Sequence, residues 1–105
     1  MYARNVMLHL KADSASAFTR KVETDVLPML RKQNGFKDEI TFVAASRNEA
    51  VAISLWDKKE SADAYARDTY PQVLKSLDKL VEGTPELDGY EVSNSTFHNI
   101  SAARN

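Results

Sequence analysis

From Arg4 to Leu10 apolar and polar positions alternate, with Val6, Leu8 and Leu10 on one face and Asn5, Met7 and His9 on the other. A period of two predicts a strand. Asp13 or Ser14 can then cap a helix in which Phe18, Val22, Val26, Met29 and Leu30 recur at helical spacing, with Arg20, Lys21, Glu23 and Thr24 opposite. Pro28 inside this helix removes a hydrogen bond and predicts a kink. Asn34-Gly35 predicts the end of the helix, because Gly35 can take the left-handed conformation that closes it and Phe36 can fold back on the last turn. A second strand is expected over 38–45, a turn at Ser46 to Asn48, and a third strand over 49–56, so these two strands form a hairpin. After Asp57 a helical stretch runs through Ala62, Tyr65 and Ala66, breaks at Tyr70-Pro71, and resumes through Val73, Leu74, Leu77, Leu80 and Val81. Gly83-Thr84-Pro85 is expected to stop that helix, and a connection through Gly89 to lead into a last strand over 90–97.

The order βαββαβ predicts an α+β, ferredoxin-like fold with a four-stranded antiparallel sheet in the order 4-1-3-2 and both helical segments on one face. Residues 1–100 are expected to form one domain and 101–105 a C-terminal tail. The other face of the sheet stays bare. The rows Val6/Leu8/Leu10 and Val51/Ile53/Leu55 belong to adjacent central strands, and both are expected to face away from the helices as one apolar patch; the alternative, that both rows face the helices, leaves Trp56 and Met7 exposed. A patch of that kind marks an interface. Sheet-on-sheet pairing about a two-fold axis is the closed way to bury it, so a homodimer is expected.

Composition adds exclusions. With 105 residues, no cysteine, and 14 basic against 15 acidic side chains scattered along the chain, there is no disulfide framework, thiolate metal site or basic patch for nucleic acid. No apolar run approaches membrane-spanning length, and the N-terminus lacks the continuous apolar core of an export signal, so a cytoplasmic protein is expected. The two histidines, His9 and His98, have no partner at metal-ligand spacing. The three glycines are isolated, and no phosphate loop, nucleophile elbow or flavin- or nicotinamide-binding element is present. No cofactor and no metal are expected.

Several segments carry a resemblance. The strand ending Ile53-Ser54-Leu55-Trp56-Asp57 with its following helix start and Tyr65 is similar to the antibiotic biosynthesis monooxygenase (ABM) family of dimeric α+β barrels. So are the helix end Leu27-Pro28-Met29-Leu30-Arg31-Lys32 running into Gly35-Phe36, the Tyr70-Pro71 pair, and the stretch from Thr84-Pro85 to Tyr90-Glu91-Val92. The resemblance spans nearly the whole chain, and its motifs are mostly structural. It implies a homodimer with a central barrel made of both sheets, and in each subunit a pocket between sheet and helices. Some members oxidise polyphenols or quinols with molecular oxygen and no cofactor; others degrade haem, isomerise small metabolites, or have no assigned activity. The haem-degrading members use a helix histidine, and the segment 57–82 has none.

In several oxygen-using members an Asn early in the first strand and the Trp closing the third line the pocket, and Asn5 and Trp56 match those places. If the start of the first strand lies beside the end of the third, these two side chains are expected to share the helix-side face, with small Ala52 and Ser54 leaving room for a pocket. An amide can hydrogen-bond a phenolic or carbonyl oxygen, and an indole offers a flat apolar wall with one N–H. His98 is a candidate acid or base if the end of the last strand lies near Asn5. Asn5, Trp56 and His98 are therefore the catalytic candidates, and Met7, His9, Ser54, Tyr65 and Tyr70 the candidates for contacting substrate. Each also has a purely structural reading: Trp56 as a core residue, Asn5 as a partner for a strand-end backbone group, Tyr70 as packing at a helix break. Two functions follow: a cofactor-independent monooxygenase acting on a small aromatic, polyphenol or quinol-type substrate, or a non-catalytic small-molecule-binding or structural dimer of the same fold.

Overall fold

The computed structural model describes residues 1–98. The expected tail at 101–105 lies outside the described residues. Four strands, β1 (Tyr2–Leu10), β2 (Phe36–Ala44), β3 (Glu49–Trp56) and β4 (Val81–Glu91), form one antiparallel sheet in the order β2-β3-β1-β4. This is the predicted ferredoxin-like order. Helices α1 (Ala15–Lys21), α2 (Leu27–Arg31), α3 (Lys59–Asp68) and α4 (Tyr70–Leu77) lie over one face.

Pro28 stands near the start of α2, and the five residues before α2, Val22–Val26, form a π-helical turn. A proline cannot donate to the residue four back, and the wider turn keeps the chain helical through the place where that hydrogen bond is missing. The expected kink is thus a local change of helix type. Gly35 has φ +82°, as the predicted helix stop requires. Phe36 packs edge-on to Trp56, with ring centres 5.6 Å apart. The hairpin turn passes through a short 3-10 segment, Ala45–Arg47, and closes with Asn48 in the left-handed region at φ 51°.

Two boundaries differ from the sequence pattern. The last strand is Val81–Glu91, not 90–97, and the preceding helix ends at Leu77. Leu80 and Val81 continue the helical spacing, but the Lys11 amide donates to Leu80 O and Val81 pairs with Leu10, so tertiary pairing takes them into the sheet. Gly83 and Pro85 sit inside this edge strand, beside a register shift between Met7 and His9 of β1.

The register between β1 and β3 corrects a larger expectation. Val6 pairs with Ala52, Leu8 with Ala50 and Arg4 with Ser54, so these residues share the helix-side face. Val6, Leu8, Leu10 and Ala50 are buried in the core with Phe18, Val22, Val26, Leu30, Trp56, Ala62, Tyr65, Val73 and Leu77. Val51, Ile53 and Leu55 lie on the opposite face, beside Met7, Asn5 and Ala3. The two apolar rows are therefore on different faces. An alternating pattern in each strand does not reveal which parity of one faces which parity of the other, and a one-residue slip exchanges the faces. The bare face remains apolar all the same: Val51, Ile53 and Leu55 are half-buried, and Ile40 and Phe42 of β2 are exposed beside them.

Gly35 and Gly83 both have positive φ, +82° and +68°, yet differ in surroundings. A Cβ at Gly35 would come within 2.3 Å of Asp57 Oδ1 and 2.4 Å of Ser61 Oγ, whereas one at Gly83 meets nothing within 4 Å. Gly83→Ala is expected to cost roughly 1–2 kcal/mol through φ alone. Gly35→Ala should cost clearly more, because it also dislodges the Ser61 to Asp57 hydrogen bond of 2.6 Å. Urea unfolding of the two variants measures the difference; equal costs would refute the crowding at Gly35.

Candidate functional site

A cavity of about 50 Å³ lies between the helix-side face of the sheet and the helices. Its wall is mostly aliphatic and aromatic: Val6 and Leu8 from β1, Phe18 from α1, Val22 and Val26 from the π turn, Leu30 from α2, and Val73, Leu74 and Leu77 from α4. The floor is open because β3 offers small side chains there, Ala52 and Ser54. The polar groups are few: Arg4, Glu39, Thr41 and Ser54 from the sheet, Tyr65 from α3 and Tyr70 from α4. An apolar cavity with a few converging polar groups is the usual form of a small-molecule site. At this volume it is smaller than ordinary ligand cavities and below the roughly 150 Å³ that holds a benzene ring, so a ring enters only where the surrounding side chains give way.

Arg4 is 8 % exposed, although its position on the core side of β1 is otherwise taken by aliphatic residues. Its guanidinium carbon lies 4.0 Å from the ring centre of Tyr70 and 5.4 Å from that of Tyr65. Among the described residues no carboxylate lies within ion-pair distance of it. Removing an unpaired charge from water costs several kcal/mol. Desolvated cation–π contact offsets about 2 kcal/mol of that. The Tyr70 hydroxyl is likewise buried, with no hydrogen-bond partner among the described residues. Burial pushes the Tyr70 phenol above its ordinary pKa, with the Arg4 charge opposing. The Tyr65 phenol is pushed up to about 12, chiefly by burial, again against the Arg4 charge.

On the β2 side, Glu39 and Thr41 share the helix-side parity through their pairing with Ser54 and Ala52. The Thr41 hydroxyl donates to Glu39 Oε2. Burial raises the Glu39 carboxyl above the usual range, and the Thr41 hydrogen bond only partly counters it. Glu39, Ser54 and Arg4 form one transverse row across β2, β3 and β1. Two strand spacings separate its ends, roughly 10 Å.

Of the residues singled out from sequence, Ser54, Tyr65 and Tyr70 line this cavity. Trp56 is on the expected face and fully buried, but it stands behind the cavity wall: its indole N–H donates to Ser54 Oγ at 2.9 Å and its ring packs on Tyr65 with centres 5.1 Å apart. Asn5 does not share that face. It pairs with Ile53 on the bare side of the sheet, where its Oδ1 is buried with no hydrogen-bond partner among the described residues. Met7 and His9 follow Asn5 by parity and lie outside the cavity, His9 exposed. His98 is not on the last strand, because β4 ends at Glu91 and the chain continues to the opposite edge of the sheet; its Nε2 is 2.6 Å from Asp38 Oδ2 of β2, without hydrogen-bond angles. Arg4, Glu39 and Thr41 are the residues the pattern analysis passed over. Arg4 had a signal, a cation in the same parity as Val6, Leu8 and Leu10; Glu39 and Thr41 had the parity opposite to Ile40 and Phe42.

Among the described residues no group of three or more His, Cys, Asp or Glu side chains is placed to hold a metal ion, and no helix is long and apolar enough to cross a membrane.

No family model and no curated protein matches the chain. Solved structures do. A protein of unknown function from Nitrosomonas europaea superposes with a TM-score of 0.76 at 14 % identity, covering 90 % of this chain and 91 % of its own. A monooxygenase from Streptomyces coelicolor, in complex with nanaomycin D, gives 0.75 at 12 % identity over 90 % and 88 %. A structure from Deinococcus radiodurans, named only as a candidate antibiotic biosynthesis monooxygenase, gives 0.71 at 16 % identity over 90 % and 95 %. The fold of this chain is thus the fold of structures carrying the ABM name, as the sequence resemblance implies.

The two buried phenols make stability sensitive to alkali. An unfolded Tyr65 ionises near pH 10, whereas the folded one holds its proton to about 12. Between those values the folded state binds the extra proton, so stability is intact below about pH 10 and falls as pH rises toward 12. The full effect is worth about 3 kcal/mol. Tyr65→Phe should remove this component of the loss; urea midpoints at pH 8 and pH 11 that fall equally in the variant and the wild type would contradict it.

Proposed function

We propose that this chain is a cofactor-independent monooxygenase of the ABM type, cytoplasmic and homodimeric, oxidising a small quinol or polyphenol with molecular oxygen in the helix-side cavity. The observation that carries the reading is the cavity itself, a partly open apolar space bordered by one carboxyl, two phenols and one guanidinium. Such a substrate supplies the electrons: a quinol and O2 yield a hydroxylated quinone and water, with one oxygen atom in each product. The protein's share is to position the ring, exclude water, and take a proton from the substrate hydroxyl. Glu39 is the carboxylate lining the cavity, and burial makes it a stronger base than an exposed glutamate. Trp56 acts as a support, holding Ser54 through its N–H and Tyr65 through ring contact. The likeness to the monooxygenase from Streptomyces coelicolor supports the setting, not the substrate.

A second reading, a small-molecule-binding dimer without turnover, is favoured by one observation. Asn5 and Trp56 fall on opposite faces of the sheet, so the amide–indole pair expected of the oxygen-using relatives does not form in one cavity.

The dimer reading rests on the bare face. Val51, Ile53, Leu55, Ile40 and Phe42 form an apolar surface there, and the partnerless Asn5 Oδ1 lies in its midst. A second sheet covering this face would bury the apolar row.

Light scattering at micromolar concentration is expected to give twice the chain mass of 11.8 kDa; a stable monomer would rule the dimer out. Chelator-treated protein is expected to consume oxygen with hydroquinones and catechols, and Glu39→Gln to slow this by roughly a hundredfold or more with folding intact. Activity lost on chelation and restored by a metal would sink the cofactor-free mechanism. Tight binding of the same panel without oxygen uptake would transfer the reading to the binding dimer.

A further inference from the structure

The two ends of the polar row in the cavity are chemically different and out of contact. Arg4 sits at the β1 end under Tyr70, Glu39 at the β2 end under the Thr41 hydroxyl, and the small Ser54 separates them. Their distance leaves each without the partner that the other would make. The Ser54 hydroxyl is itself engaged by the Trp56 indole and does not bridge the gap. Above Ser54 and Ala52 the wall is apolar.

We propose that the cavity takes a single-ring aromatic carboxylate bearing a ring hydroxyl, with the carboxylate on Arg4 and the hydroxyl toward Glu39. A guanidinium is a planar fork of donors that fits a carboxylate through two parallel hydrogen bonds, and its face is already occupied by the Tyr70 ring, so its edge is what remains for a ligand. The buried Tyr70 hydroxyl, lacking a partner, supplies a further donor at the same end. At the other end Glu39 Oε2 accepts from Thr41, which leaves Oε1 to accept from a ligand hydroxyl. A para-substituted ring spans the row, lying across the small side chains of Ala52 and Ser54, once the aliphatic wall moves outward to enlarge the 50 Å³ space. This assignment rests on the proposed site, and it narrows the substrate from quinols at large to hydroxylated benzoates.

Calorimetric titration of the full chain with 4-hydroxybenzoate and with its neutral isostere 4-hydroxybenzamide tests it. The acid is expected to bind at least tenfold more tightly than the amide. Arg4→Met should abolish that preference, with the acid losing more affinity than the amide, and Arg4→Lys, which keeps the charge but loses the fork, should retain part of it. Unsubstituted benzoate should bind more weakly than 4-hydroxybenzoate to the wild type, and equally with it to Glu39→Leu, which lacks an acceptor. Equal affinity of acid and amide for the wild-type protein overturns the assignment, as does a folded Arg4→Met variant that still prefers the acid, or no binding of either compound. Oxygen uptake with 2,5-dihydroxybenzoate and with hydroquinone separates this from the oxidation reading. Acid-selective binding without oxygen consumption leaves the ligand class standing and removes the oxidation, whereas oxidation of neutral hydroquinone with no acid preference does the reverse.

Discussion

The register between the two central strands decides nearly everything else. Because Val6 faces Ala52 and Leu8 faces Ala50, each face of the sheet receives one row of large apolar residues beside one row of smaller or polar ones. On the helix side the large row belongs to β1 and the small row to β3, which lets the helices approach over β1 while a space stays open over Ala52 and Ser54. On the other side the large row belongs to β3, flanked by Ile40 and Phe42, and nothing in the chain's helices reaches it. A slip of one residue would gather both large rows on one face. It would fill the cavity on one choice of face and leave the helices with a thin core on the other.

Trp56 locks this arrangement. It is the largest side chain with no exposure, and it reaches Phe36 after the helix stop, Tyr65 on α3, and Ser54 on its own strand. These contacts tie the β2 start, the end of β3 and the helix above them into one cluster, and Tyr65 extends the aromatic stack to Tyr70, with ring centres 6.1 Å apart. Arg4 then lies against the far end of that stack. The cavity's polar end is thus mounted on the most tightly packed part of the core, where positions are held by contact rather than by loops.

Element types and strand order were legible from periodicity because both depend on local spacing: period two for strands, the left-handed Gly35 at the helix end, and the short turn that forces β2 and β3 to pair. What depends on long-range pairing was not. Leu80 and Val81 fit a helix by spacing and join a strand because β1 offers them partners. The relative parity of β1 and β3 is absent from either strand alone, and this one unknown sent Asn5 to the wrong face while Trp56, Ser54, Tyr65 and Tyr70 came out on the right one. Arg4 was legible in principle, since a cation in step with Val6, Leu8 and Leu10 must be either buried or at a fraying strand end. Burial alone distinguishes the two.

Arg4 and Glu39 also say something about each other through the direction in which Glu39 titrates. An opposite charge in contact would hold the carboxyl below its ordinary range. Glu39 is instead held above it, and burial dominates. The carboxyl therefore bears the cost of desolvation without the relief a guanidinium would give, although a guanidinium lies in the same transverse row. Closing the row into an ion pair would relieve both groups, and Ser54 is too small and too firmly held by Trp56 to bridge it. The fold keeps the pair apart at the expense of stability, on two strands of one sheet whose spacing cannot collapse. A gap of that kind, rigid, apolar in the middle and unlike at its ends, is filled to advantage only by a molecule whose own ends differ in the same sense.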